Sequence, residues 1–296
     1  MVTGKGGVGK TTVAAALALV SARAGRRTIA LEVAGQRRVP ALLGHPAAGP
    51  PGTEEAVAPG LWASTADPER ALAEWATQVV RPRAVVELAL RSRAFAAFAA
   101  AAPGAKELVT ITKAWELSSE RRWTRGAVPF QTVVLDAPAS GHGLALLSAP
   151  ATYAEIARVG PVASQARAVD ATLSDAGASA IVAVATLEET PVNETLELEV
   201  VLRERFGRPP VAIVANAVVR DPLTAAERER LDGALPSSVA RALAGRRERA
   251  RLQAGQLRRL RQGASAPIVT LPHLGAGGVG PGEIAALARR LAAHLP

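Results

Sequence analysis

Short apolar runs alternate with longer stretches of helical periodicity along most of this chain. The runs lie at residues 28–33, 61–65, 132–135, 180–185, 211–215 and 267–271. Helix-patterned segments of ten or more residues separate most of them. Because the runs are continuously apolar, they are typical of a parallel sheet that helices cover on both faces. The pattern predicts an α/β fold with a doubly wound, mainly parallel sheet, forming a single domain over residues 1–296.

Two stretches depart from this alternation. Residues 44–60 are rich in proline and glycine, which predicts an exposed loop. Residues 66–125 have the pattern of several helices with no strand between them, which predicts a helical insert in the α/β domain. All four tryptophans lie at the edge of this insert or within it, either as its core or as a binding face: Trp62, Trp75, Trp115 and Trp123.

The composition is that of a globular chain with a strong preference for arginine. Of 296 residues, 49% are hydrophobic and 21% are charged, so a substantial core can form. The net charge is +9, and only four of the 35 basic residues are lysines. We interpret this as a genome-wide bias and expect no nucleic-acid partner. The basic helical run 241–261 is interpreted as a solvated face, with an anionic partner or a membrane surface as the alternative.

Absent features exclude several classes of protein. The chain has no cysteine, which excludes disulfides, thiolate zinc sites, iron–sulfur clusters and thiol-bound metalloids. The longest strongly apolar run of the middle region, 94–102, is far shorter than the roughly 20 residues of a spanning helix. With no secretory signal at its start, the chain is expected in the cytoplasm.

Residues 4–12 read GKGGVGKTT and contain the pattern of a phosphate-binding loop. Glycines allow successive backbone N–H groups to converge on phosphate oxygens at the positive end of the following helix. Lys10 is expected to reach the β- and γ-phosphates, and the Thr11 hydroxyl to ligate Mg²⁺. The predicted nucleotide contacts are Gly4, Gly6, Gly7, Val8, Gly9, Lys10, Thr11 and Thr12.

Lys5 makes the assignment of this loop to a group of ATPases more specific. A second lysine at this place resembles the deviant P-loop ATPases, which include arsenical-pump, tail-anchored-protein-targeting, partition and division-site ATPases and nitrogenase iron protein. The resemblance implies that Lys5 contacts phosphate across a dimer interface, in the manner of an arginine finger. Lys5 and Lys10 are two of the only four lysines in the chain.

A second segment distinguishes among these groups of deviant P-loop ATPases. Residues 135–147, LDAPASGHGLALL, resemble the D-x-A-P-T-G-H-x-L-R-L-L pattern of the ArsA and tail-anchored-targeting ATPases. Segments 66–75, 103–107 and 186–195 resemble further motifs of the same group, in the same order. The chain therefore resembles the ArsA-like ATPases from Thr3 to at least Asn216, and nitrogenase iron protein is excluded because its cluster cysteines are absent.

The resemblance assigns roles to residues outside the loop. Asp136 would hold Mg²⁺ through water, and the Gly141 N–H would meet the γ-phosphate. The resemblance also implies that residues 136–142 form a switch, a segment that responds to loss of the γ-phosphate. His142 would be a structural residue of this switch. Asn216 would hold the adenine, with a turn residue as the alternative, and Pro272 lies in a weaker match to a second adenine-side loop. No aspartate follows Asn216 closely, which favours ATP over GTP.

The chain departs from the family at the first switch. The family has an aspartate there that orients the attacking water, whereas Ala34 lies at about that place, with Glu32 two residues earlier. Glu32 is a candidate base and equally a simple strand-end carboxylate. The first strand is also short, because only three residues precede the loop, so either the chain start is misassigned or the central strand is incomplete.

The resemblance implies a dimeric, Mg²⁺-dependent ATPase, either a homodimer or a heterodimer with a related ATPase. The insert would bind an unknown client protein or membrane component through Trp75, Phe95, Phe98 and Trp115. Arsenite is disfavoured because cysteines are absent, and tail-anchored clients because Met1 is the only methionine. The alternatives are a hydrolysis-poor partner subunit, which the missing switch aspartate favours, and a partition-type ATPase, which only the basic helix favours.

Overall fold

The computed structural model describes residues 1–33, 36–46, 49–79, 103–231, 234–275 and 277–294. An eight-stranded sheet runs through the molecule in the order β3-β4-β2-β5-β1-β6-β7-β8. All of its neighbouring strands are parallel except β3 and β4. This arrangement confirms the α/β fold with a mainly parallel sheet that the apolar runs predict.

The strands are β1 (Val2–Thr3), β2 (Thr28–Glu32), β3 (Glu55–Ala58), β4 (Leu61–Thr65), β5 (Thr132–Asp136), β6 (Val182–Thr186), β7 (Ala212–Val218) and β8 (Ile268–Pro272). The helices of the described residues are α1 (Lys10–Arg23), α2 (Arg38–Leu42), α3 (Pro68–Val79), α4 (Ala105–Ser118), α5 (Ser140–Ala157), α6 (Pro161–Ser174), α7 (Glu189–Phe206), α8 (Ala225–Leu231), α9 (Ser237–Gly263) and α10 (Pro281–Ala292).

Helices cover the sheet on both faces, as continuously apolar strands require. Helices α1 and α10 pack together in one apolar cluster with alternate residues of the strands. The other face is covered by two clusters that include residues of α4, α5, α6 and α7. Helix α1 is alanine-rich on its buried side, which allows it to lie close to the strands beneath it.

The predicted strands are present, with ends that differ by at most three residues. The prediction that residues 44–60 form an exposed loop is wrong in part, because β3 lies within them and pairs antiparallel with β4 at the sheet edge. Prolines and glycines at 46–52 dominate that segment and conceal the short strand that follows. Helix α2, which begins six residues after Glu32, also lacks a clear sequence signal.

Helices α3 and α4 lie in the segment 66–125 that was expected to be a helical insert. Residues 80–102, including Phe95, Phe98 and the apolar run 94–102, lie outside the described residues. None of the four tryptophans is exposed. The indole of Trp115 packs against an apolar cluster of the main domain, and its Nε1 donates a hydrogen bond to Thr172 Oγ1 at 3.1 Å. Trp115 is therefore a packing residue between α4 and α6.

In the part of the chain that the structure describes, no helix combines the length and the apolar character that crossing a membrane would require. Helix α9 has 27 residues but is strongly polar, and only Gln253 and Leu260 are buried on it.

Candidate nucleotide site

The residues predicted to bind nucleotide lie at one edge of the sheet. The loop 4–9 follows β1, and Glu32, Asp136 and Pro272 are the last residues of β2, β5 and β8. Because these strands are parallel, their carboxyl ends meet at the same edge, which is where ligands bind in open α/β sheets. Glu32 and Asp136 are in register on the neighbouring strands β2 and β5, so the two carboxyl groups point to the same face.

The glycines of the phosphate loop allow its backbone to lie close to the sheet on one side and leave open space on the other side. A Cβ on Gly4 would lie 2.1 Å from the Val184 carbonyl oxygen, and one on Gly9 would lie 2.3 Å from Asn216 Nδ2. A Cβ on Gly7 would meet nothing within 4 Å, and its φ of +83° is a conformation that favours glycine. The loop is thus pressed against the sheet and open on its outer side, as a cradle for phosphates requires.

The two loop residues expected to hold Mg-ATP are bonded within the protein. Lys10 Nζ donates a hydrogen bond to the Lys5 carbonyl oxygen at 2.9 Å, and Thr11 Oγ1 donates one to Asp136 Oδ2 at 2.6 Å. Burial lowers the pKa of Lys10, while the charge of Asp136 opposes that shift. A phosphate group would therefore replace a neutral carbonyl as the partner of a half-buried ammonium group, which favours binding.

Asp136 has the environment of a cation ligand. Its side chain is 6% exposed, and its Oδ1 has no hydrogen-bond partner among the described residues. Burial raises its pKa, against the opposing effects of the Thr11 hydrogen bond and the charge of Lys10. A buried carboxylate oxygen without a partner is costly unless a cation or ordered water satisfies it. The residues present thus fit Mg²⁺ between Thr11 and Asp136.

Glu32 is a second buried carboxyl group beside Asp136. Its Oε1 accepts a hydrogen bond from the Arg38 N–H at 2.7 Å, and its Oε2 accepts one from the Val39 N–H at 3.1 Å. Burial, the main cause, and the charge of Asp136 together raise the pKa of Glu32 to about 7, against the lowering effect of those two hydrogen bonds. Glu32 therefore anchors the first turn of α2 and also titrates near neutral pH. Ala34 lies outside the described residues.

Lys5 forms an ion pair that the sequence did not reveal. Its Nζ donates to Glu194 Oε1 on α7, and Ser140 Oγ at the start of α5 donates to Glu194 Oε2 at 2.9 Å. The hydrogen bond from Lys5 holds the pKa of Glu194 below its usual range. Glu194 lies in the family-like segment 186–195, but that resemblance gave it no role. It links the phosphate loop, the start of α5 and α7.

The remaining predicted contacts lie around this centre. Gly141 and His142 are exposed in the first turn of α5, where backbone N–H groups have no partner within the helix. The Asn216 amide Nδ2 donates a hydrogen bond to the Val8 carbonyl oxygen at 2.8 Å, so this side chain contacts the phosphate loop directly. Pro272 pairs with Val218 at the same edge of the sheet.

Comparisons with known proteins identify similar chains. ATPase BagA of Mycobacterium tuberculosis is 32% identical over 204 residues, which are 67% of this chain and 58% of BagA. The uncharacterised protein SCO2128 of Streptomyces coelicolor is 35% identical over 152 residues, 51% of this chain and 36% of that protein. The chain thus matches little more than half the length of BagA.

The sequence profile of the anion-transporting ATPases matches residues 1–160, which include the phosphate loop, Glu32, Asp136 and the first turn of α5. The profile covers more than half of the chain, and the protein therefore belongs to the anion-transporting ATPase (ArsA ATPase) family.

Proposed function

We propose that this protein binds Mg-ATP at the sheet edge and hydrolyses it to ADP and phosphate. The observation that carries the proposal is the convergence of Lys10, Thr11 and the unpartnered Asp136 Oδ1 on one open glycine-rich loop. Lys10 would bind the β- and γ-phosphates, and the N–H groups of residues 4–12 would surround them. Mg²⁺, held by Thr11 and through water by Asp136, would neutralise phosphate charge.

Glu32 is the candidate base for the attacking water. Hydrolysis forms a bond between the water oxygen and the γ-phosphorus, breaks the bond from that phosphorus to the β,γ-bridging oxygen, and releases a proton. A carboxylate with a pKa near the working pH accepts such a proton efficiently. Both Glu32 oxygens retain a free lone pair beside the Arg38 and Val39 hydrogen bonds.

Dimerisation is part of the proposal and rests on Lys5. The Lys5 ammonium group bonds to Glu194 on α7. Two chains facing each other across their nucleotides would allow each Lys5 to reach the phosphates of the other subunit. Either a second copy or a related ATPase could be that subunit.

The helical insert is proposed as the region that responds to nucleotide and binds a client. Helix α5 begins four residues after Asp136, and it packs against α4 of the segment 66–125. The Tyr153 hydroxyl of α5 also donates a hydrogen bond to the Pro103 carbonyl oxygen at 2.9 Å. A movement at the start of α5 on loss of the γ-phosphate would therefore be transmitted to this segment.

The test is ATP turnover per chain, with and without Mg²⁺, over a wide range of protein concentration. A rate that requires Mg²⁺, rises with concentration and is lost in Lys5→Ala is expected for a self-sufficient dimeric ATPase. Lys10→Ala is the binding control and should abolish retention of labelled ATP. A chain that retains ATP but has no turnover at any concentration would contradict hydrolysis and favour a hydrolysis-poor subunit. Absence of ATP binding would overturn the whole proposal.

A further inference from the structure

The positive charge of the chain is concentrated on one helix. Helix α9 contains eight arginines and one glutamate within 27 residues, a net charge of +7 out of the +9 of the whole chain. The other 269 residues contain 27 basic and 25 acidic side chains and are nearly neutral. A compositional bias would act on all segments alike, so it does not explain this helix. The expectation that nucleic acid is not a partner rested on treating the arginine excess as uniform.

All eight of these arginines are exposed. Arg251 pairs with Glu248 on the same helix, and Arg247 approaches Asp221 at 3.9 Å. Among the residues that the structure describes, the other six form no ion pair with a carboxylate. Helix α9 is held to the domain mainly through its second half, where Gln253 and Leu260 are buried. Arg246 Nε donates a hydrogen bond to the Arg220 carbonyl oxygen at 3.3 Å. In the described part of the chain, the guanidinium groups without a protein partner, and so available to an external anion, are those of Arg241, Arg249, Arg258, Arg259 and Arg261.

The arrangement of these side chains favours a partner that encloses the helix. At about 100° per residue, Arg241, Arg249, Arg246 and Arg247 point in directions about 0°, 80°, 140° and 240° around the axis. A flat membrane surface would contact only one side of such a helix. The major groove of a nucleic-acid duplex is about 12 Å wide, admits an α-helix and presents phosphates on both sides.

The chemistry of the helix disfavours two other anionic partners. Helices that lie in a membrane interface have an apolar face with Trp, Phe or Leu, whereas the exposed apolar residues Val239 and Leu252 lie on different sides of α9. Single-stranded nucleic acid is bound on aromatic stacking platforms, and α9 has no aromatic residue. Arginine binds phosphate oxygens in a bidentate manner.

We propose that helix α9 is a binding surface for double-stranded nucleic acid, which it contacts through the phosphate backbone without reading base sequence. From Arg241 to Arg261 the helix extends over about 30 Å, close to one turn of a duplex. The proposed binding does not depend on ATP hydrolysis at the nucleotide site.

The test is fluorescence anisotropy of the whole protein with a labelled DNA duplex of two turns, titrated between about 50 and 200 mM salt. The test variant is Arg241→Gln, Arg249→Gln, Arg258→Gln and Arg259→Gln together. The matched control removes four exposed arginines outside α9: Arg23, Arg26, Arg121 and Arg125, each changed to Gln. In the described part of the chain, none of these eight side chains forms a hydrogen bond or an ion pair, so both variants are expected to fold.

The wild type and the control should bind with a steep salt dependence. The α9 variant should bind at least about tenfold more weakly, with a slope of log affinity against log salt that is shallower by about 2 to 4. Equal weakening of the two variants would overturn the proposal, since it would reflect net charge alone. Equal affinity for a single strand would also overturn it. Binding to phosphatidylserine vesicles without duplex binding would assign the helix to a membrane surface, and no binding to either would exclude this role.

Discussion

Glu32 combines burial, a strand-end position and a pKa of about 7, and this combination makes the pH dependence of turnover informative. A general base must be ionised, and the raised pKa means that the carboxylate form is present mainly above about pH 7. Turnover by the wild type is therefore expected to rise as pH increases through about 7. Glu32→Gln should lower the rate about 10²-fold or more and remove this pH dependence.

Steady-state turnover from pH 5.5 to 8.5 measures this effect, with labelled-ATP binding as the control for an intact site. A Glu32→Gln protein with the wild-type rate and pH profile would show that Glu32 only anchors α2 through the Arg38 and Val39 N–H groups.

We expect Glu194 to compete with nucleotide for Lys5, because its carboxylate holds the Lys5 ammonium group beside the loop proposed to accept phosphates. Glu194→Gln removes this charge and retains an oxygen that can accept the Ser140 hydrogen bond. We expect the Kd for a fluorescent ATP analogue to fall about two- to fivefold, the scale of a partly exposed ion pair. Glu197→Gln, an exposed change on the same helix, is the matched control. An unchanged or higher Kd in Glu194→Gln alone would contradict this competition.

Among single residues, the sequence identified those whose role depends only on neighbouring positions in the chain. Lys10 and Thr11 were recognisable because the loop and the helix after it form from consecutive residues. The Glu194 contact was not, because Lys5 and Glu194 are 189 positions apart and meet only when α7 packs beside the loop. The raised pKa of Glu32 likewise depends on burial beneath α2, which its neighbours in sequence do not reveal.

Among the elements, the loop after α4 is fixed to that helix by a buried group of charges. Arg122 Nε donates to Glu116 Oε1 at 2.7 Å, and Lys113 Nζ donates to Glu116 Oε2 at 2.9 Å and to Glu74 Oε2 at 2.8 Å. Arg122 also pairs with Glu54, which precedes β3. The group therefore joins α3, α4 and the sheet edge, so the segment 66–125 is attached to the domain through charges as well as apolar contacts.

Glu116→Gln should destabilise the protein strongly. The Glu116 and Arg122 side chains are 0% and 1% exposed, so the change leaves buried cations without their full counter-charge. We expect the free energy of unfolding to fall by about 3 to 5 kcal/mol, as measured by urea denaturation. Glu120→Gln, an exposed position on the same loop, should change it by less than about 0.5 kcal/mol. Similar small effects of both changes would show that the network contributes little to stability.

Elements were predictable where the sequence pattern and the burial coincide. Strand β2 is fully buried and β6 is buried in four of its five residues, and both appear as continuous apolar runs. Strand β3 has one buried residue in four and follows a proline- and glycine-rich segment. An edge strand of this kind is specified by its pairing with β4, which is a tertiary interaction and leaves almost no periodic signal.

Over the whole molecule, the parallel topology explains how distant sequence positions form one site. Residues from 4 to 272 meet because the strands that carry them end at the same edge of the sheet. The alternation of strands and helices in the sequence predicted the parallel sheet from which this convergence follows. The sequence also indicated the basic run 241–261 as a solvated face, but it did not predict that burial is confined to Gln253 and Leu260 in the second half of that helix, because burial depends on tertiary packing.

The two halves of helix α9 are expected to differ in local stability. Its first half has few contacts with the core and contains several like charges that repel one another, while its second half is anchored by Leu260. Backbone amides between residues 241 and 249 should therefore exchange hydrogen for deuterium much faster than those near 260, as mass spectrometry can measure. Equal protection along the helix would contradict this gradient. The charge that this helix contributes is thus expected to favour opening of its first half, and counter-ions alone should slow hydrogen exchange there.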